Sequence, residues 1–119
     1  MNVAVIGASD NPERYSNMAV KLLKEKGHTV FPVHQRIKSV EGLNVFPTIM
    51  DVPGEIDTIS LYVAANISTQ IADEILDKQP RRIIFNPGAE NPELSQKARN
   101  QHIITQNACT LVLLRTGQF

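Results

Sequence analysis

Residues 3–12 are Val3-Ala4-Val5-Ile6-Gly7-Ala8-Ser9-Asp10-Asn11-Pro12, and this stretch decides the fold. Its first half has the continuous hydrophobicity of a strand that is buried on both faces of a parallel sheet. The apolar run breaks at Gly7, and an amphipathic helical pattern follows. A strand that ends in this way brings backbone amides and the start of a helix to one place, where a phosphate group is commonly bound. We therefore expect a phosphate-bearing ligand near the N-terminus.

Strand and helix patterns alternate along the rest of the chain. Apolar and β-branched runs predict strands at residues 29–33, 43–46, 56–63 and 82–85. The first predicted helix is capped by Ser16 and ends at Gly27, and a brief helical turn is capped by Thr48. Two more helices are predicted, one from Ile67 to before Pro80 and one that is capped by Asn91. Late apolar segments lie at 102–106 and 111–114. This order predicts a single domain over residues 1–119, a three-layer α/β fold with a doubly wound, mostly parallel sheet.

Composition narrows the functional class. Lys and Arg together number 12 and equal Asp and Glu, so no overall positive field favours nucleic acid or an acidic membrane. The only cysteine, Cys109, excludes an internal disulfide, and the three histidines lack the spacing of metal ligands. No apolar run approaches the roughly 20 residues of a membrane helix, and no signal-like segment follows Met1. We expect a cytoplasmic protein that binds no nucleic acid, membrane or metal.

Three predicted loops, residues 7–16, 33–38 and 64–68, converge beyond the carboxyl ends of the strands, where open parallel sheets bind ligands, and residues 86–91 are expected to complete the rim. They do not carry the dinucleotide fingerprint, which needs several spaced glycines and an acidic residue about 20 positions later. Only Gly7 is present, and the second strand ends in Val33-His34-Gln35. The loops instead offer groups that bind phosphates, as in an adenosine diphosphate group. These groups are serine hydroxyls, backbone amides and the basic residues His34, Arg36 and Lys38.

Taken in order, these segments resemble the CoA-binding domain family, small Rossmann-like proteins that are also similar to the nucleotide-binding part of succinyl-CoA synthetase. The resemblance covers nearly the whole chain. Its most specific pieces are Val5-Ile6-Gly7-Ala8-Ser9, Asn11-Pro12-Glu13-Arg14 with Ser16, Pro32-Val33, and Gly88-Ala89-Glu90-Asn91.

The resemblance implies coenzyme A or an acyl-CoA as the ligand, bound by four groups of residues. The diphosphate would lie along Gly7, Ala8, Ser9, Arg14 and Ser16; the adenosine and its 3′-phosphate beside Pro32, Val33, His34 and Lys38; the adenine or ribose beside Val63, Ala64 and Ile67; and the pantetheine arm along Asn86, Pro87, Gly88 and Ala89.

The chain departs from the family pattern at three places. Family members often have Pro-Val-Asn-Pro-Lys where this chain has Pro32-Val33-His34-Gln35-Arg36. Tyr15 replaces a usual proline, and a late Asp-Arg-Cys-Pro segment is here Gln106-Asn107-Ala108-Cys109-Thr110. No acid–base pair or nucleophilic triad is evident in the sequence. We expect a non-catalytic CoA-binding module that serves as a sensor, a carrier or a partner-dependent subunit, with a protein partner or a homo-oligomer both compatible with the sequence.

Two alternatives stay open. The first is a fragment of an NAD(P)-linked oxidoreductase or a nucleotide-dependent transferase that borrows catalytic groups from another chain. The second is a redox-responsive protein in which Cys109 forms a mixed disulfide with CoA, although cysteine in so apolar a segment is usually a buried small hydrophobe. His28 and His102 are expected at strand entrances, on the surface opposite the site.

Overall fold

The computed structural model describes all 119 residues, and seven strands run through it. The strands are β1 (Asn2–Ile6), β2 (Thr29–Val33), β3 (Ser39–Val40), β4 (Leu43–Asn44), β5 (Thr58–Leu61), β6 (Arg82–Phe85) and β7 (Ile104–Asn107). Five of them form one sheet in the order β2-β1-β5-β6-β7, and every pair in it is parallel. β3 and β4 form a separate antiparallel pair.

Helices cover both faces of this sheet. They are α1 (Tyr15–Glu25), α2 (Ala65–Gln70), α3 (Ala72–Asp77), α4 (Pro92–Asn100) and α5 (Thr110–Arg115), with a 3-10 turn at Ile49–Asp51. Alternate residues of β1 belong to two hydrophobic clusters: Val3 and Val5 pack in the cluster that includes Val20 and Leu23 of α1, whereas Ala4 and Ile6 pack in the opposite one. The predicted three-layer, doubly wound, Rossmann-like α/β fold is confirmed.

Several predicted element ends are confirmed by their hydrogen bonds. Asn91 caps α4, since its Oδ1 accepts from the Leu94 N–H over 3.1 Å. Thr48 precedes the 3-10 turn, and its N–H donates to the Asp51 carboxylate over 3.1 Å. Gly27 follows the end of α1 with a φ of 88°. These signals are local, because a cap needs only the few residues that it joins.

The predicted cap of the first helix is wrong. α1 begins at Tyr15, Arg14 is its N-cap, and Ser16 lies inside the first turn, where it is buried. The reason is a turn that precedes the helix: the Arg14 N–H donates to the Asn11 carbonyl over 3.0 Å. This turn brings the chain into helical geometry before Ser16 is reached.

The single helix predicted from Ile67 is also wrong. Two helices, α2 and α3, meet at Ile71, whose φ of −108° and ψ of 15° interrupt the helical path. A polar contact explains the change in periodicity: the fully buried Ser68 hydroxyl accepts from Asn91 Nδ2 over 2.7 Å. α2 therefore turns a serine inward and leaves Ile67 exposed, whereas α3 buries Ile75 and other apolar residues.

The strands predicted at 43–46 and 56–63 are shorter in the structure, at Leu43–Asn44 and Thr58–Leu61. β4 pairs with β3 across Glu41 and Gly42, which both have positive φ, as a tight two-residue hairpin requires. Phe46 leaves this hairpin and forms a parallel bridge with Val33 at the end of β2.

Two constraints favour glycine at position 7: a positive φ angle and a close contact with Val63. A substitution at Gly27, where only the first constraint applies, separates their effects on stability. Gly7 has a φ of 87°, and a Cβ atom there would lie 2.9 Å from Val63 Cγ1; Gly27 has a φ of 88° but nothing within 4 Å of such an atom. We expect Gly27→Ala to destabilise the fold by about 1 kcal/mol and Gly7→Ala by about 1–3 kcal/mol more. Urea unfolding measures both. Equal losses would show that packing against Val63 does not constrain Gly7.

Candidate functional site

A cleft of about 640 Å³ opens at the carboxyl edge of the sheet. It lies between the loops that follow β1, β2, β5 and β6 and the start of α5. Residues from the four predicted groups come together there: Gly7, Ala8, Ser9, Arg14, Ser16, His34, Val63 and Pro87. Its other lining residues are Tyr15, Ile37, Tyr62 and Cys109.

The start of α1 forms one end of the cleft. Arg14, the N-cap, makes no side-chain capping bond, and the first turn contains no acidic residue. The N–H groups of Tyr15, Ser16 and Asn17 have no acceptor in the protein. Unpaired amides at a helix N-terminus carry a partial positive charge and attract anions. Together with the Arg14 guanidinium, they make this end of the cleft receptive to phosphate.

The loop after β1 is held in place by hydrogen bonds within the chain. The amides of Gly7 and Ala8 both donate to the Val33 carbonyl, over 3.0 and 3.3 Å, which ties the loop to the end of β2. The Ser9 hydroxyl accepts from the Asn11 N–H over 3.1 Å. The amides of Gly7 and Ala8 are therefore already used, and a phosphate would meet the amides at the start of α1 instead.

Asn17 lies outside the cleft lining but supports the loop after β1, a role that the sequence analysis missed. It is almost completely buried, and its Nδ2 donates to the Ser9 carbonyl over 2.9 Å and to Glu41 Oε2 over 3.3 Å. Asn17 thus joins the loop after β1 to the β3–β4 hairpin. The sequence does contain one indication of this role: Asn17 is a polar amide at an apolar position of the amphipathic pattern of α1.

The residues after β2 divide between the cleft and its surroundings. His34 and Ile37 line the cleft, and His34 Nδ1 accepts from the amides of Arg36 and Ile37 over 3.0 and 3.3 Å. Pro32 and Val33 are buried within β2, and Lys38 is exposed outside the cleft lining. The cleft therefore brings His34 to the start of α1 but leaves Lys38 outside its lining.

The loop after β5 contributes Tyr62 and Val63 to the cleft, whereas Ala64 and Ile67 lie outside its lining. Ala64 is the N-cap of α2, and Ile67 is exposed on that helix. Burial, followed by the charge of Cys109, raises the pKa of Tyr62 to about 12. Tyr62 is therefore a neutral phenol at physiological pH.

The four predicted residues after β6 occupy different environments. Pro87 lines the cleft, whereas Asn86 is fully buried and Ala89 is buried in the core. Gly88 is exposed, and its N–H donates to Glu90 Oε1 over 2.9 Å. Only Pro87 of this group faces the cleft directly.

Cys109 does not occupy the fully buried position expected for it. It is half-buried, stands at the N-cap of α5 and lines the cleft. The reason is that α5 begins at Thr110, immediately after Cys109. The helix places Leu111 and Leu114, not Cys109, in the interior.

The opposite edge of the sheet holds His28, as predicted, next to the start of β2. Burial, followed by the charge of the Met1 amino group, lowers the pKa of His28. His102 precedes β7 and is exposed. No group of three or more His, Cys, Asp or Glu side chains is placed to hold a metal ion. None of the helices is both long enough and apolar enough to span a bilayer.

The fold and the cleft define a Rossmann-like α/β domain with an anion-receptive edge. The chain belongs to the CoA binding domain family, whose model matches residues 1–115. The family named from the sequence is thereby confirmed.

Known proteins extend this assignment. The chain is similar to the uncharacterized protein YneT of Bacillus subtilis, with 25% identity over 83% of this chain and 73% of that protein. It is 31% identical to the alpha subunit of an ADP-forming acetate–CoA ligase II of Pyrococcus furiosus, over 70% of this chain and 18% of the subunit. A crystal structure of an uncharacterized protein matches it with a TM-score of 0.93 and 33% identity, over 99% of this chain and 97% of that one. The chain therefore spans under a fifth of the ligase subunit that it matches.

A test of the cleft's framework removes the buried Asn86 side chain. Its Nδ2 donates to Ser60 Oγ and the Leu61 carbonyl, and its Oδ1 accepts from the Thr110 N–H. Asn86→Ala leaves the buried Thr110 N–H without an acceptor and removes the bonds to Ser60 and Leu61, so we expect a loss of about 2–4 kcal/mol in the free energy of unfolding. Asn107→Ala, at the exposed end of β7, is the matched control and should change stability by less than about 0.5 kcal/mol. Similar losses in denaturant unfolding would contradict the role of Asn86.

Proposed function

We propose that this protein binds coenzyme A or an acyl-CoA through the ADP portion of the ligand, without chemistry of its own, as a sensor, a carrier or a partner-dependent subunit. The observation that carries this proposal is the start of α1. It opens into the cleft with three unpaired amides, no acidic residue in its first turn, and Arg14 at its N-cap. This is the arrangement that favours a diphosphate, and membership of the CoA binding domain family supports CoA as the ligand.

The cleft suggests how the parts of CoA would be distributed. The diphosphate would contact Ser9, Arg14 and Ser16, and the adenosine end would lie between His34 and Val63. The pantetheine arm would leave past Pro87. Gly7 and Ala8 also line the cleft and would lie beside the ligand. The remaining predicted residues lie outside the lining and would not contact the ligand directly: Pro32, Val33, Lys38, Ala64, Ile67, Asn86, Gly88 and Ala89.

Electrostatics support an anionic ligand. Arg14 brings a positive charge to the cleft, and no carboxylate lines it. A ligand with several phosphates would therefore meet no fixed negative charge there. A partner-dependent role fits the comparison with the P. furiosus subunit, in which a similar segment makes up 18% of the length. We propose that any reaction of the acyl group is catalysed by another protein chain and not by this one.

Calorimetric titration with CoA, NAD, NADP and ADP at one salt concentration tests the proposed ligand. We expect CoA to bind most tightly, ADP more weakly, and pantetheine without the nucleotide not measurably, because the affinity would come from the phosphates. Tightest binding of NAD or NADP would favour the oxidoreductase alternative and overturn the proposal. Binding of pantetheine as tight as that of CoA would contradict the role of the α1 start.

A single variant tests the diphosphate contact. Arg14→Ala removes a charge-assisted hydrogen bond, so CoA affinity should fall by about ten- to a hundredfold. Arg115→Ala, on the exposed last turn of α5, is the matched loss of an arginine away from the cleft and should bind CoA as the native protein does. If Arg14→Ala kept its fold and its full affinity, Arg14 would not contact the ligand.

A second candidate function is a mixed disulfide between Cys109 and CoA, and the position of Cys109 favours it. Cys109 is half-buried and lines the same cleft as Pro87, where the pantetheine arm would leave. In this reaction the Cys109 thiolate attacks CoA disulfide, one S–S bond replaces another, and one CoA thiolate departs.

Mass spectrometry distinguishes this candidate. Protein treated with CoA disulfide should gain one CoA adduct, which dithiothreitol removes and which Cys109→Ala does not form. Glutathione disulfide is the matched reagent and should react more slowly, because it lacks the nucleotide that the cleft would hold. A native protein that stays unmodified, or that reacts equally with both reagents, would contradict a CoA-directed thiol.

A further inference from the structure

β7 forms one outer edge of the sheet, and part of its backbone has no partner there. The Ile104 N–H donates to the carbonyl of the residue before β6 over 3.0 Å, and the Ala108 N–H donates to the last carbonyl of β6 over 3.1 Å. Successive residues of a parallel strand turn their backbone groups to opposite sides. Gln106 therefore also faces β6, whereas Thr105 and Asn107 direct their N–H and carbonyl groups outward.

The opposite edge of the sheet, at β2, is protected in two ways. Pro32 has no N–H to offer, and its carbonyl accepts from the Phe46 N–H over 2.9 Å. The His34 N–H donates to the Phe46 carbonyl over 3.0 Å, so the segment after β4 covers the end of this edge. Proline and covering segments are devices that keep an edge strand from pairing with another chain. β7 has neither device.

The side chains of β7 do not protect its edge either. The strand reads Ile104-Thr105-Gln106-Asn107 and carries no charge, although charged side chains are a common means of discouraging edge pairing. Ile104 is 49% exposed. The guanidinium of Arg99 on α4 is held over one face of the strand by hydrogen bonds to Ser95 and Thr105. The outer edge of β7 is therefore open, uncharged and flanked by an exposed apolar side chain.

The unpaired groups of β7 are complementary to those of a second copy of the same strand. In an antiparallel pair, residues that exchange both backbone hydrogen bonds alternate with residues that exchange none. With Gln106 opposite the partner's Gln106 on a two-fold axis, Thr105 lies opposite the partner's Asn107, and both free residues of each copy are satisfied. Ile104 then lies opposite the partner's Ala108, which is small. Basic and acidic residues number 12 each, so two copies have no net charge repulsion.

We propose that two copies of this protein pair through β7 in antiparallel fashion, about a two-fold axis at Gln106, so that their sheets become one continuous sheet. The interface is isologous, because the same strand supplies both sides. Antiparallel pairing directs the carboxyl ends of the two sheets in opposite directions. The two clefts therefore lie at opposite ends of the dimer, and dimer formation does not depend on the proposed binding of CoA.

Sedimentation velocity of the full chain tests the dimer. We expect a concentration-dependent equilibrium of monomer and dimer between about 1 µM and about 1 mM, because so small an interface supports only weak association. Thr105→Pro removes an outward N–H without removing a bond to β6. It should raise the dissociation constant of the dimer about ten- to a hundredfold, which corresponds to one lost hydrogen bond from each copy.

A side-chain variant keeps this test informative if proline disturbs the fold. Ile104→Lys changes only an exposed side chain and places a charge at the interface, so it should also weaken the dimer. Met50→Lys is the matched control, because Met50 is 52% exposed on the 3-10 turn and lies outside β7; it should dimerise as the native protein does. A native protein that stays monomeric throughout, or a dimer that both β7 variants leave unchanged, would overturn the proposal.

Cysteine cross-linking tests the position of the two-fold axis. In a Cys109→Ala background, Gln106→Cys would face its own copy in a non-hydrogen-bonded pair, where opposite side chains lie closest. Mild oxidation should therefore cross-link it, whereas Gln70→Cys on the exposed surface of α2 should stay monomeric. Equal cross-linking of the two variants, or none at Gln106, would contradict this axis.

Calorimetry with CoA separates the dimer from the proposed function. Ile104→Lys should bind CoA as the native protein does, because Ile104 lies outside the cleft lining. A native dimer that binds no CoA would refute the proposed function and leave the dimer standing. A native monomer that binds CoA would refute the dimer alone.

Discussion

A fully buried asparagine joins the parts of the sheet edge from which the cleft is built. Asn86 follows β6, its Nδ2 reaches Ser60 Oγ over 2.9 Å and the Leu61 carbonyl over 2.8 Å, and its Oδ1 accepts from Thr110 over 2.8 Å. The hydroxyls of Ser60 and Thr110 are themselves 2.8 Å apart. A buried network with these groups paired has few alternative arrangements. It therefore fixes the segments that carry Tyr62, Pro87 and Cys109.

The other wall of the cleft is held by weaker means. The loop after β1 depends on Val33 and Asn17, and the loop after β2 depends on the imidazole of His34. The bonds that close the His34 turn are near solvent. Such contacts open at lower free energy than a buried network. The cleft thus combines a rigid wall at β5, β6 and α5 with an adjustable wall at β2.

Features that depend on neighbouring residues could be predicted from the sequence. The apolar run of β1, the break at Gly7 and the Asn91 cap are such features, and with the strand–helix alternation they were enough for the fold and the family. Features that depend on distant contacts could not. Ser68 faces inward because Asn91, far along the chain, donates to it, and this contact divides the predicted helix. Asn17 matters because it bonds Glu41 on a hairpin that periodicity does not reveal.

The same distinction applies to the candidate site. The sequence predicted that these loops meet at one edge, because parallel strands bring their carboxyl ends together, and the structure has residues of these loops around one cleft. It could not determine which side chain of each loop faces the cleft: in the 86–89 group, Pro87 lines it while Asn86 supports it from below. Seven residues separate Gly7 from the start of α1 at Tyr15, and the loop turns through Asn11 before the helix begins. A ligand's phosphates would therefore meet the helix away from the sheet edge, where the Arg14 side chain can add its charge to the backbone amides. That geometry explains how an anion-receptive cleft can form without the spaced glycines of a dinucleotide fingerprint.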